Sequence, residues 1–147
     1  MARTPRLVLI TAALVGVASL LVPDLAQAAA PNATSSGSPH IVARPDSVMV
    51  NNTTKLTGKH FTASKRITIE ECAQSTWVVT ANPCDSSNAI KVKTNPHGKF
   101  EAVFRVHTCA TTTAPGFAET CYIGEPTPSG VDTITLQGAV TITVTGP

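Results

Sequence analysis

The stretch AIKVKTNPHGKFEAVFRV, residues 89–106, decides the fold. In 89–94, Ile90 and Val92 fall on one side of an extended chain and Lys91 and Lys93 on the other. In 100–106, Phe100, Ala102, Phe104 and Val106 alternate with Glu101 and Arg105. A period of two is the mark of a half-buried strand, because successive side chains point to opposite faces. Between the runs lies Asn95-Pro96-His97-Gly98, a concentrated turn signal. The pattern predicts that the two runs pair as a hairpin.

The same reading extends outward. Residues 66–72 (RITIEEC) alternate with Ile67 and Ile69 on one face, and 139–145 alternate Val140, Ile142 and Val144 with threonines. Further strand-like runs are 40–43, 47–50, 53–58, 120–124 and 131–136, and Pro45 breaks the first two apart. Val, Ile and Thr dominate, and β-branched side chains suit a pleated surface. No amphipathic helical period of useful length is present. Many short strands with frequent turns predict an all-β domain, an immunoglobulin-like two-sheet sandwich of about seven strands over residues 40–147.

The N-terminus reads differently. Arg3 and Arg6 precede fifteen apolar-rich residues, LVLITAALVGVASLL, then Pro23 and the small residues Ala26 and Ala28 flanking Gln27. That is the layout of a cleavable signal peptide over 1–28. The apolar run is short of the ~20 residues a membrane span needs, so no membrane anchor is expected. Residues 29–39 (AAPNATSSGSP) lack large apolar side chains and read as a flexible leader. Sequons stand at Asn32, Asn51 and Asn52. The expected localisation is secreted, and about 120 residues remain, enough for one core.

Beyond residue 28 the chain carries nine Lys and Arg against eight Asp and Glu, close to neutral. The basic residues are scattered, with Lys65-Arg66 and the Lys91/Lys93 pair the densest places. They read as solvated strand faces, which disfavours direct nucleic-acid binding. Export sets the reading of Cys72, Cys84, Cys109 and Cys121: an even count in an oxidising compartment means bridges. Four cysteines allow three pairings. Local pairing, Cys72–Cys84 and Cys109–Cys121, closes two loops with eleven residues inside each, worth ~3 kcal/mol apiece in the chain-entropy model. Neither spacing fits a zinc knuckle, so no metal is expected.

The order of these pieces resembles the neocarzinostatin family, apoproteins of enediyne chromoprotein antibiotics from actinomycetes. The resemblance runs through Leu56-x-Gly58-x-x-Phe61-x-Ala63-Ser64, Cys72-Ala73, Trp77, Cys84-Asp85, Val92-x-x-Asn95-x-x-Gly98, Cys121-Tyr122-Ile123-Gly124 and the apolar strand 138–144. Two local cysteine pairs and the signal peptide complete it. It implies a seven-stranded immunoglobulin-like sandwich with a cleft between one sheet and the disulfide loops. The cleft would hold a non-covalent enediyne chromophore, which the protein protects and carries, and whose released form cuts DNA. DNA is then a partner only through the ligand, and the protein is expected to be a monomer. Carried over by position, the resemblance puts Cys72 and Cys84 on the cleft floor, Trp77 in the first loop, and Tyr122 and Gly124 on the opposite wall. Ala89 lowers a wall where the family can place Phe, and Phe117 stands for an aromatic of the second loop. The chain departs from the family pattern in its near-neutral charge, where the family is acidic. It also departs at 125–130 (EPTPSG) and in how closely Cys109 follows the strand ending near His107.

Two other function classes stand beside the carrier. One is an envelope or recognition domain with no chromophore, since an immunoglobulin-like fold alone selects no function. The other is an enzyme. His40, His60, His97 and His107 are scattered, and no Gly-x-Ser-x-Gly or His-Glu-x-x-His is present. Glu70 and Glu71 point to opposite faces of one strand and cannot act together on a substrate. No catalytic residue is expected.

Overall fold

The structure is a computed structural model that describes residues 37–109 and 116–147. The expected signal peptide at 1–28, most of the 29–39 leader and Asn32 lie outside the described residues.

Among the described residues nine strands form: β1 (His40–Arg44), β2 (Ser47–Met49), β3 (Thr53–Lys59), β4 (Arg66–Cys72), β5 (Thr76–Val78), β6 (Ile90–Lys93), β7 (Phe100–Arg105), β8 (Ala118–Pro128) and β9 (Thr133–Thr145). A single 3-10 turn, Ser86–Asn88, interrupts them. β2 falls in the run expected at 47–50, and β5 is a three-residue strand outside the expected runs. One layer is β1–β3–β7 and the other β6–β4–β8–β9, in the continuous order β6-β4-β8-β9-β1-β3-β7. The layers meet where β1 touches β9 at His40 and Gly138, and where β2 leaves β1 to run parallel to Thr143–Thr145.

The inward faces follow the alternation. Ile67 and Ile69 of β4, Phe100 and Phe104 of β7, Cys121 and Ile123 of β8, and Ile142 and Val144 of β9 fill one core with Ile41, Leu56 and Phe61. Phe61 and Phe100 meet edge-on at 5.4 Å between centroids, a favoured aromatic geometry.

The hairpin expected between 89–94 and 100–106 is not formed. β6 pairs antiparallel with β4, and β7 with β3, so the two runs belong to opposite layers. The turn is tight all the same. Asn95 N–H donates to the Lys99 carbonyl and Gly98 N–H to the Asn95 carbonyl, while the Asn95 side chain accepts from the N–H groups of His97 and Lys99. Gly98 has φ +66° and its carbonyl accepts from Phe61 N–H. A Cβ there would lie 2.1 Å from the Phe61 carbonyl oxygen, so only glycine lets the turn pass that close. The turn therefore arches over the core edge, and each strand buries its apolar face from its own side.

The C-terminal half also differs from expectation. Residues 125–128 continue β8, and the two runs at 131–136 and 139–145 are one strand, β9, bent at Gly138 (φ +69°). β4 pairs with β8 only over Tyr122–Gly124. Beyond it one edge of β8 is open, and there Pro126 and Pro128, which lack a backbone donor, cost no ladder bond. A register shift between Ile123 and Glu125 marks the start of this arm, which β5 completes by pairing with Thr133–Thr135.

Both disulfides are the local ones, Cys72–Cys84 and Cys109–Cys121. No helix among the described residues is long and apolar enough to cross a membrane.

Candidate functional site

A second apolar cluster lies outside the core. Cys72, Trp77 and Leu136 are buried in it, and Cys84, Tyr122 and Ile134 pack half-buried around them. Strand parity explains it. On β4, Ile67, Ile69 and Glu71 face the core, so Thr68, Glu70 and Cys72 face out. Cys72 pairs with Tyr122 and Glu70 with Gly124, which puts all four on that outer face, and an isolated bridge adds Cys84 beside Cys72. The arm then brings Trp77, opposite Ile134, and Leu136 onto this face. Gly124 makes the approach possible: a Cβ on it would stand 2.9 Å from Leu136 Cβ and 3.2 Å from the Gln137 carbonyl oxygen.

The residues named from sequence distribute accordingly. Cys72, Cys84, Trp77, Tyr122 and Gly124 are brought together. Ala89 is half-buried at the end of the 3-10 turn, one residue before Ile90, which pairs with Ile69. Phe117 lies elsewhere. Its carbonyl accepts from Gly146 N–H and its ring covers Gly146, past the far end of β9 from Ile134. Trp77 sits on strand β5, not on an open loop, and is 6% exposed. The half-exposed rim of the cluster is thus Tyr122, Cys84 and Ile134, with Trp77 and Leu136 behind.

Two carboxyls flank the cluster in sequence, Glu70 on its face of β4 and Glu125 on the other face of β8. Burial raises the Glu70 carboxyl above the usual carboxylate range, and the nearby Asp85 charge adds to it. Burial also raises Glu125, against a lowering by Lys65.

Under the same disulfide, on the inner face, is a polar group that sequence reasoning missed. Glu71 is fully buried and shares its parity with Ile67 and Ile69. Its Oε2 accepts from His107 N–H at 2.8 Å and from Asn88 Nδ2 at 3.3 Å, while Oε1 has no partner. Burial pushes its pKa up to about 7, partly offset by the His107 N–H. Asp85 next door is held low, first by the Ser87 hydroxyl and then by His107, whose Nδ1 lies 2.9 Å from Asp85 Oδ2. Asp85 also caps the 3-10 turn by accepting from Ser87 N–H. The alternation that puts Ile67 and Ile69 inward puts Glu71 inward too, so this signal was present in the sequence.

Concavities among the described residues are lined elsewhere. One of about 340 Å³ lies beside Asp85 and His107. Two others, of about 580 and 320 Å³, adjoin on the β1–β3–β7 layer.

No protein-family model matches the sequence, and no curated protein matches it. Among solved structures, macromomycin is similar at 16% identity with a TM-score of 0.48, over 75% of this chain and 100% of that one. A likeness at that distance assigns neither family nor ligand.

Proposed function

We propose that the protein is an exported, non-enzymatic carrier that shelters an apolar small molecule on the outer face of β4 and β8, beneath the arm. The observation that supports this is the second cluster: the chain's one Trp and one Tyr meet on a disulfide outside the core. Ligand sites are commonly apolar and aromatic with a few placed polar groups, and Glu70 supplies such a group. An apolar ring lands first on Tyr122, Cys84 and Ile134, and reaches Trp77 as the arm yields. The resemblance to the neocarzinostatin family supplies the ligand class, an enediyne-like chromophore whose released form damages DNA, and with it an antibiotic role.

The single Trp makes the reading testable. Titration of the oxidised protein with an aromatic polyketide is expected to quench or shift Trp77 emission saturably. Tyr122→Ala weakens the affinity roughly tenfold, the worth of one aromatic contact of about 1.4 kcal/mol. Phe117→Ala, at the other end of β9, leaves it unchanged. Emission that never responds to apolar ligands sinks the proposal.

One observation favours a second reading, a recognition domain that docks a protein partner through the tip of the arm. Val78 and Val79 are each 53% exposed and Val131 is 97% exposed. They stand together, since Val78 pairs with Thr133 and Val79 N–H donates to the Asp132 carbonyl. Binding of a protein partner that Val131→Ser abolishes, with no small-molecule response at Trp77, selects it.

A further inference from the structure

We infer that the outer face of the β1–β3–β7 layer is a docking surface for an anionic phospholipid bilayer. Strand pairing assembles it from cations that are scattered in the sequence. Across this face His40 stands opposite Lys59, Val42 opposite Thr57 and Arg44 opposite Lys55. Thr57 in turn faces Glu101, Lys55 faces Val103 and Thr53 faces Arg105. At the layer's edge Lys99, after the arching turn, and Lys93, the last residue of β6 before it, line the 580 Å³ concavity together with Lys59. The adjoining 320 Å³ concavity is lined by Arg44, Lys55 and Lys59 with Val42 and Thr57.

The charge separation is steep for a chain near neutrality. Of the nine Lys and Arg beyond residue 28, six gather here: Arg44, Lys55, Lys59, Lys93, Lys99 and Arg105. Of the eight Asp and Glu, only Glu101 does, and it is engaged at 2.6 Å by Lys55. Arg44 directly opposite Lys55 is a like-charge pair, and Glu101 offsets only one of the two charges, which leaves the face with excess positive charge. A polyanionic partner offsets the rest.

The apolar residues choose among polyanions. Val42 and Val103 stand among the cations, 39% and 67% exposed. In a headgroup layer each Lys or Arg gains about 1 kcal/mol near an anionic surface, and interspersed apolar side chains leave water. The two basins take phosphate headgroups between three cations each. A nucleic-acid backbone offers the same phosphates but leaves the valines nothing to bury against. Nor is any Phe, Tyr or Trp exposed on this face to stack a base: Phe100, the nearest, is 5% exposed. A second copy related by a two-fold axis would set the six cations against themselves.

The test is co-sedimentation of the disulfide-intact protein with vesicles of equimolar phosphatidylglycerol and phosphatidylcholine, against vesicles of phosphatidylcholine alone. Binding is expected only to the anionic vesicles and is lost at high salt. Lys59→Gln with Lys99→Gln, both exposed positions, is expected to weaken partitioning about thirtyfold, from about 1 kcal/mol per lysine. Lys65→Gln with Lys91→Gln removes the same charge from the other layer and changes it little. Absence of binding at low salt overturns the inference, as does an equal loss in both double variants. Capture of duplex DNA without binding to vesicles also overturns it and reassigns the face to nucleic acid.

Discussion

The core between the layers and the cluster beneath the arm use similar side chains but are held by different contacts. The core interlocks residues from seven strands, with Leu56, Phe104, Ile69 and Ile123 fully buried. The outer cluster buries only Cys72, Trp77 and Leu136 and leaves a half-exposed rim. It exists because one disulfide, one bulge and one bend lay an arm across the sheet. The first is enclosed on all sides, whereas the second is covered on one side by a three-residue strand. A region of the second kind can open locally at a cost below that of global unfolding, and binding sites are drawn from such regions.

Phe104→Ala, at a fully enclosed core position, is expected to cost about 4 kcal/mol in urea unfolding, as transfer and cavity terms add.

Glu71 gives the next largest effect, read as a pH slope. Its folded pKa of about 7 lies above the ordinary value of 4.5, so the folded state holds a proton that the unfolded chain gives up. Its contribution is therefore fully present below pH 4.5 and is lost as pH rises towards 7, by about 3 kcal/mol across that window. Asp85 acts oppositely: its lowered pKa gives stability that is lost only as pH falls below the usual carboxylate range. Glu71→Gln is expected to flatten the fall between pH 4.5 and 7 in urea midpoints measured against pH. An unchanged slope would put the buried proton on another group.

Trp77→Ala comes last, at about 2 kcal/mol, half the usual cost of removing a buried aromatic, because the space it leaves opens to water through the rim. A loss as large as that of Phe104→Ala would make the cluster part of the structural core and weaken the case for a site.

Much of this was legible in the sequence, and the limits have physical causes. Period-two alternation located β4, β6 and β7 and their inward residues, because alternation is a local consequence of the pleat. It did not choose partners. The turn at 95–98 joins two strands in either a hairpin or an arch, and only the burial of each apolar face against the opposite layer decides for the arch. Residues 125–128 fall outside the runs that read as strands, because the tolerance of Pro126 and Pro128 depends on an open edge where β8 parts from β4 beyond the Glu70–Gly124 pair. Cys72, Tyr122 and Gly124 fall on one face only in the register that pairs β4 with β8, which local patterns do not encode. Phe117 was grouped with them by its loop, yet its place is set by Gly146 at the other end of β9. The basic face shows the same limit: Arg44 and Lys55 are distant in sequence and become neighbours by pairing.

The central claim is that the cluster beneath the arm holds an apolar small molecule. Native mass spectrometry of the protein, purified cold and in the dark from the cells that make it, tests this most directly. A non-covalent adduct of several hundred daltons is expected, released on denaturation and absent from a Trp77→Ala, Tyr122→Ala variant that keeps both disulfides. A bare polypeptide mass in the native protein, with both bridges formed, would contradict it.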